Sequence, residues 1–293
     1  MQDCIYRATS ADGAIRVFVA ITTNLVNKAQ QIHNTYPTAT AALGRTLTIS
    51  SIIGAGMKNK TDSTTIQFKG DGPLGSIVAV CEADASVRGY VVNPACDIKR
   101  KANGHLDVGG AVGKGFLNVI RDMGLKEPYC GQVPIVTGEI AEDMTYYFAS
   151  SEQIPTAIAL GVLVNPDMSV KCSGGFMLQL MPEATEEVAG ILEDKMKTLP
   201  PITQMLEDGM TAEDILFTIT DGFSMIMENK PVIPEYKCRC SKERMEKALI
   251  SIGKKELEDL ICEQGEAELT CQFCDNRYLF KKNELEKLLK DAK

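Results

Sequence analysis

The chain has 293 residues, 44% of them apolar and 24% charged, the make-up of a globular protein with room for two domains. Residues Met1 to Arg7 carry no basic-then-apolar leader, and no apolar run approaches the about 20 residues that a bilayer requires, so a cytoplasmic protein away from membranes is expected. The net charge is −8 and no basic stripe marks a nucleic-acid surface, so neither DNA nor RNA is an expected partner.

Residues 1–181 read as one α+β core domain. Alternation over 14–20 predicts a strand. A helix follows over about 22–34, with Leu25, Ala29 and Ile32 on one face, and a second over about 39–56, with Leu43, Leu47 and Ile52 inward. The second is rich in Ala, Ser, Thr and Gly, which would let a neighbour pack closely. From residue 64 onward, strand-like pieces alternate with turn signals: 65–68, then Gly70-Asp71-Gly72-Pro73, then 75–80, with further pieces at 116–120, 132–136 and 157–164. The expected object is an open sheet with a few helices. Gly109 to Gly115 resembles a phosphate loop, but its glycine spacing is one short, and Gly115 stands where a magnesium-binding Ser or Thr is needed. It is read as a glycine-rich turn. The histidines, His33 and His105, are far apart with no nucleophile in a recognisable arrangement. A capping or surface role is expected for His33.

Residues 182–230 differ in kind. They hold 3 basic and 11 acidic side chains, whereas 1–181 and 231–293 are each balanced, so the whole negative charge lies here. Three short helices are predicted. The first opens at Thr185 and carries Val188, Ile191, Leu192 and Met196 on one stripe until Pro200-Pro201 breaks it. The second carries Ile202, Met205 and Leu206, and the third, behind a capping box at Thr211 to Asp214, carries Ile215, Leu216 and Ile219. None would be stable alone. Met196, Met205, Met210, Met225 and Met227 suit an adaptable surface. This stretch reads as an acidic, Met-rich helical linker that can dock or come loose.

The last segment, 231–293, is a small domain with a thin core. A helix bearing Met245, Ala248, Leu249 and Ile252 is expected, then one over 255–261, a hairpin over 269–280, and a short final helix beginning near Asn283-Glu284. Its distinguishing feature is four cysteines in two tight pairs, Cys238-Arg239-Cys240 and Cys271-Gln272-Phe273-Cys274. Four thiolates so grouped can surround one tetrahedral Zn2+, and a domain this small draws much of its stability from a metal. The Cys-x-Cys half is unusual for a purely structural site. One intervening residue strains any disulfide that closes it, and a strained disulfide is more oxidising, so the pattern suits both zinc ligation and a redox switch. Cys4, Cys81, Cys96, Cys130, Cys172 and Cys262 have no paired spacing and are expected to be small buried hydrophobes.

The two cysteine pairs at this gap and this end of the chain, together with Gly70-Asp71-Gly72-Pro73-Leu74-Gly75, Gly109 to Gly115, and Gly138-Glu139-Ile140-Ala141-Glu142-Asp143, resemble heat-shock protein 33, a family of redox-regulated bacterial holdase chaperones. The resemblance spans nearly the whole sequence. It implies one zinc on Cys238, Cys240, Cys271 and Cys274 in a reduced, inactive form, with the small domain folded over the linker. Oxidation then forms the disulfides Cys238–Cys240 and Cys271–Cys274, releases zinc and unfolds both the switch and the linker. It further implies a homodimer when active, which holds unfolding client proteins without ATP under oxidative and heat stress. No substrate is turned over, so an enzyme is not expected. Cys262 lies outside the implied switch but adds a nearby thiol that could scramble disulfides.

Two other classes share the cysteine signature. A zinc-ribbon nucleic-acid-binding protein would be cationic around the metal, whereas residues 231–293 are neutral. A thiol-disulfide oxidoreductase would place Cys271-x-x-Cys274 at a helix start beside a βαβ unit, and a hairpin is expected there instead.

Overall fold

The chain opens with a hairpin, β1 (Cys4–Ser10) and β2 (Ile15–Ile21). The computed structural model describes residues 2–228 and 230–291. Strand β2 is apolar on both faces for a reason: Phe18 and Ala20 enter one core, and Ile15, Val17, Val19 and Ile21 enter another. Helix α1 (Thr23–His33) buries Leu25, Val26 and Ala29 and stops at Asn34, which takes a left-handed φ of 49°. Helix α2 (Pro37–Ala55) begins with proline at its first turn, where a missing N–H costs nothing.

The inward stripe expected of α2 is replaced by burial all round: 17 of its 19 residues are buried. Four of its hydroxyls are satisfied within the helix itself, Thr46 donating to the Ala42 carbonyl, Thr48 to Gly44, Ser50 to Thr46 and Ser51 to Thr48; Thr40 bonds to Thr35 just before the helix, and the Thr38 hydroxyl is buried without a partner. Most of its small polar residues can therefore lie in an apolar layer at little cost.

There follow β3 (Ser63–Gly70), β4 (Ile77–Glu82), β5 (Ser86–Val91), α3 (Val108–Val112), β6 (Gly115–Asp122), β7 (Tyr129–Pro134), α4 (Ala141–Ser150), β8 (Thr156–Val164) and β9 (Val170–Leu180). Next come α5 (Glu186–Thr198), α6 (Ile202–Glu207), α7 (Ala212–Ile219), β10 (Met225–Met227) and β11 (Glu235–Tyr236). The class is α+β as expected, but the single open sheet is in fact two. Among the described residues one has the order β10-β1-β2-β9-β8 and the other β11-β5-β4-β3-β6-β7, and α2 packs against both. The division into two sheets was hidden because some partner choices are non-local. Pairing β2 with β9, for example, sets Ile15 opposite Leu180.

Two compact units divide between residues 237 and 238: Met1–Lys237 and Cys238–Lys293. The acidic helices belong to the first. Ile202, Met205 and Leu206 of α6 and Ala212, Ile215, Leu216 and Ile219 of α7 are buried on the outer face of the five-stranded sheet, with Val17, Val19, Phe176 and Leu178. Thr211 caps α7 reciprocally with Asp214. Helix α5 is held more lightly, since Leu192 alone is buried and Ile191, expected on the inward stripe, is 49% exposed. Met205 is buried in this core, with Met196, Met210, Met225 and Met227 packed against it, so the linker methionines serve chiefly as packing.

The second unit contains α8 (Lys242–Ser251), α9 (Lys254–Glu263), the hairpin β12 (Glu266–Thr270) and β13 (Arg277–Lys281), and α10 (Lys282–Leu288). Among the described residues its core is Leu249, Leu257, Ile261, Ala267, Phe280, Leu285 and Leu288. Helix α8 turns Leu249, Met245 and Ile250 inward and leaves Ala248 and Ile252 exposed, so the expected face is rotated by about one position.

Gly161 of β8 has no room for a side chain: a Cβ there would lie 2.4 Å from Ile202 Cγ2 and 2.7 Å from Thr203 Cγ2. Gly161→Ala should therefore lift α6 from the sheet at a cost of about 1–3 kcal/mol. Urea denaturation would show the loss, and limited proteolysis would cut earlier around residues 198–211. Unchanged stability and cleavage would mean that α6 is not seated there.

Candidate metal centre

Cys238 and Cys240 lie in an extended stretch immediately before α8, whose N-cap is Ser241, with its Oγ accepting from the Arg244 amide at 3.3 Å. Cys271 and Cys274 lie in the turn between β12 and β13. The turn closes on itself: the Asp275 amide donates to the Cys271 carbonyl at 2.9 Å, that of Cys274 to the same oxygen at 3.3 Å, and the Cys271 amide to the Asn276 carbonyl at 2.9 Å. Asp275 takes a φ of 57°, a conformation that Asp tolerates. The expected hairpin is present, and the Cys-x-x-Cys pair is at its tip, not at a helix start.

The fold brings all four sulfurs within 4.8 Å of one another. Cys238 Sγ is 3.7 Å from Cys271 Sγ, and Cys240 Sγ is 3.3 Å from Cys274 Sγ. Tetrahedral Zn2+ with sulfur ligands at about 2.3 Å requires sulfur–sulfur separations of about 3.8 Å. Four sulfurs, no carboxylate, and this spacing fit a structural zinc site, so the donor set and its geometry both match the metal.

The sulfurs are not equivalent. Cys271 is buried and the other three are half-buried. Burial raises the Cys238 and Cys274 thiols, and the neighbouring thiols add to the rise at Cys274. Burial also opposes ionisation of Cys240, but the Tyr278 hydroxyl, 3.0 Å from its sulfur, and the surrounding thiols outweigh it and bring Cys240 down to about 7. Asn276 Nδ2 lies 4.0 Å from the same sulfur. Sequence reasoning missed both outer partners. The signal was there in part, because Tyr278 lies at the start of the strand that leaves the knuckle, close to the cysteine turn.

The remaining cysteines only partly follow expectation. Cys81, Cys96 and Cys172 are buried and Cys4 is half-buried, with burial pushing Cys81 up to about 12. Cys130, on edge strand β7, and Cys262, on α9, are exposed instead, and Cys262 is outside the sulfur cluster. His33 is a half-buried partner and not a cap: its Nε2 shares a hydrogen bond with the Tyr236 hydroxyl at 3.0 Å.

The glycine segments have a packing role. A Cβ on Gly70 would lie 1.9 Å from the Val112 carbonyl oxygen, and one on Gly72 would lie 2.3 Å from that of Ala111. Asp71 Oδ1 accepts from the Lys114 amide at 2.7 Å, and Glu139 Oε1 from the Gly109 amide at 3.2 Å. Glu139 also pairs with Arg45 and Lys101, each at 2.6 Å. Three segments scattered between residues 70 and 143 thus interlock by backbone contact, and the apparent phosphate loop is one of the three. No helix among the described residues is long and apolar enough to cross a membrane.

A family model described as Hsp33 protein matches residues 3–281. A protein of Clostridium beijerinckii named 33 kDa chaperonin is 46% identical over 294 residues, covering 100% of both chains. One of the same name from Clostridioides difficile is 48% identical over 293 residues, covering 99% of this chain and 100% of that one. The crystal structure of a 33 kDa chaperonin (heat shock protein 33 homolog) from Thermotoga maritima superposes with a TM-score of 0.92 at 38% identity, covering 99% of each chain.

Metal removal gives a first test of the centre. A chelator should abolish the ordered amide signals of residues 238–291 while those of β2 and β9 persist, and equimolar zinc should restore them. Tyr278→Phe, which removes the donor to Cys240, should weaken zinc binding about tenfold in a chelator competition. An unchanged affinity would remove Tyr278 from the centre.

Proposed function

The chain belongs to the Hsp33 family, and from that premise we propose that it is a redox-regulated, ATP-independent holdase of the cytoplasm that keeps unfolding proteins from aggregating. The observation that carries the redox part is the cluster of four sulfurs inside a unit of thin core. In the reduced, inactive form Cys238, Cys240, Cys271 and Cys274 hold one zinc. Bound there, Zn2+ keeps the sulfurs as thiolates and ties the start of the unit to its hairpin.

Oxidation by a peroxide removes two electrons per disulfide. A thiolate sulfur attacks the peroxide and takes one oxygen as sulfenic acid. A second thiol then displaces that oxygen as water and closes the S–S bond. Two such rounds consume two peroxides and four thiols and leave no ligand. The shortest sulfur separations run across the two motifs, and all lie within 4.8 Å. The pairing Cys238–Cys240 and Cys271–Cys274 is therefore taken from the family. Without its ligand set the small unit unfolds, because a metal that binds only the folded state contributes directly to its stability.

Residues 182–230 are the segment whose order follows that of residues 231–293. Helix α5, with one buried side chain in thirteen residues, is the part nearest to release. Departure of α6 and α7 uncovers Val17, Val19, Phe176 and Leu178 on the five-stranded sheet, an apolar surface for unfolding clients. The active form is a homodimer. Nothing is turned over, so affinity for non-native chains is the whole activity.

The test follows zinc release, thiol number and suppression of client aggregation on one sample, before and after peroxide at heat-shock temperature. One zinc should leave as four thiols disappear, with suppression rising in step. Retained zinc, or release without any gain in holding, would defeat the reading. Cys238→Ser should weaken zinc binding and give partial holdase activity without oxidant. A variant that stays zinc-loaded and fully peroxide-dependent would remove Cys238 from the switch.

A further inference from the structure

Three cavities of about 360, 460 and 340 Å³ lie side by side in the first unit. Arg16 and Ile154 line the first two, and Pro155, Leu180 and Ala189 line the second and third. Together they make one trough, which begins at the carboxyl end of α2, passes Arg16 and continues under α5. Its walls are mainly apolar, and five of the chain's 13 methionines are among them: Met57, Met123, Met177, Met181 and Met196. Methionine side chains are flexible and polarisable, so such walls accept apolar groups of many shapes.

Arg16 is the half-buried cation of this trough that has no counter-charge among the described residues. Its Nη2 donates to Gln179 Oε1 at 2.6 Å, its guanidinium stands 5.8 Å from the Phe18 ring centroid, and its Nε has no hydrogen-bond partner among the described residues. Burial lowers its pKa, with no carboxylate to offset the effect. The other buried charges of the trough have partners. Arg121 pairs with Glu152 at 3.1 Å, Glu152 also accepts from the Tyr147 hydroxyl at 2.5 Å, and Asp62 accepts from Asn59 at 3.2 Å. Lys58, Glu186 and Glu193 are exposed at the rim. A guanidinium held by a neutral amide and an aromatic face keeps N–H donors for an incoming carboxylate.

We propose that the trough is a docking site for extended apolar segments of client proteins that carry an acidic side chain, the carboxylate pairing with Arg16. This rests on the chaperone reading above and adds the chemistry by which clients are chosen. Apolar side chains fill the methionine-lined ends, and the acidic residue fixes the segment's position along the trough. Release of α5, which carries Leu192 and Met196 away with it, uncovers the far end, floored by Leu178 and Leu180. Oxidation, by releasing α5, would then complete the site.

The experiment uses the oxidised full-length protein and labelled peptides of one apolar sequence with Glu, Gln or Lys at the centre, read by fluorescence anisotropy. The Glu peptide should bind roughly fivefold tighter than the Gln peptide, the magnitude of a half-exposed ion pair, and the Lys peptide more weakly than either. Added salt should narrow the gap. Arg16→Gln should erase the Glu preference, and Arg16→Lys, which keeps the charge, should recover part of it. Equal binding of Glu and Gln peptides by the unsubstituted protein, or a preference that survives Arg16→Gln, would overturn the proposal. So would a concentration-dependent self-association lost only in Arg16→Gln, which would give the trough to a second copy of the chain. Aggregation suppression with no Glu preference sinks the trough alone. Absence of both peptide binding and suppression sinks the chaperone reading and the trough with it.

Discussion

Both sheets of the first unit rest on α2, and α2 can be buried from every side because most of its polar side chains are satisfied close by. Thr46, Thr48, Ser50 and Ser51 return their hydroxyl protons to carbonyls three and four residues back, so this part of the helix presents an almost apolar outline to strands above and below, while the Thr38 hydroxyl is buried without a partner. Small side chains let the two sheets approach closely, and larger ones such as Leu43, Leu47, Ile49 and Ile52 fill the layers on either side. The polar ends need outside help. Arg7, which also pairs with Glu228, donates to the Ala55 carbonyl at the carboxyl end, and Arg45 is neutralised by Glu139. These contacts join the first hairpin, Glu228 after β10 and the interlocked glycine segments to one central rod.

Local chemistry made much of this legible. The proline start of α2, the capping box at Thr211, the hairpin that carries Cys271 and Cys274, and the four-cysteine pattern are all written in neighbouring residues. The family resemblance came from short motifs of the same kind. What the sequence hid was set at a distance. The division into two sheets depends on pairings such as Ile15 with Leu180, and helix periodicity cannot reveal that α2 has a sheet on each side. At the sulfur cluster the four cysteines were plain, but Tyr278 was not, because its role depends on which face of β13 turns toward Cys240. The methionines were misleading for a related reason. Composition singled out those of the linker, which pack a core, and passed over Met57, Met123 and Met177, which line a cavity.

The acidic segment is graded in how firmly it is held. Helices α6 and α7 complete a core that the five-stranded sheet cannot close alone, and the missing side chain at Gly161 marks how tightly α6 is seated. Helix α5 has one buried side chain and a surface rich in carboxylates. Its attachment is correspondingly slight. A segment built this way can respond in stages, since the loosely held helix opens at a smaller free-energy cost than the two seated ones.

The stretch made of residues 225–228 and 230–237 runs along one border of each sheet. Strand β10 and Val232 bond to β1, and β11 together with the Lys237 amide bonds to β5. Were it absent, the outward N–H and C=O groups of β1 and β5 would be two open templates, ready to pair with any extended polypeptide. A protein that gathers unfolding chains meets such polypeptides constantly and at high local concentration. For it a bare border on β1 or β5 would be a seed for fibrous co-aggregation, and this stretch covers those two borders.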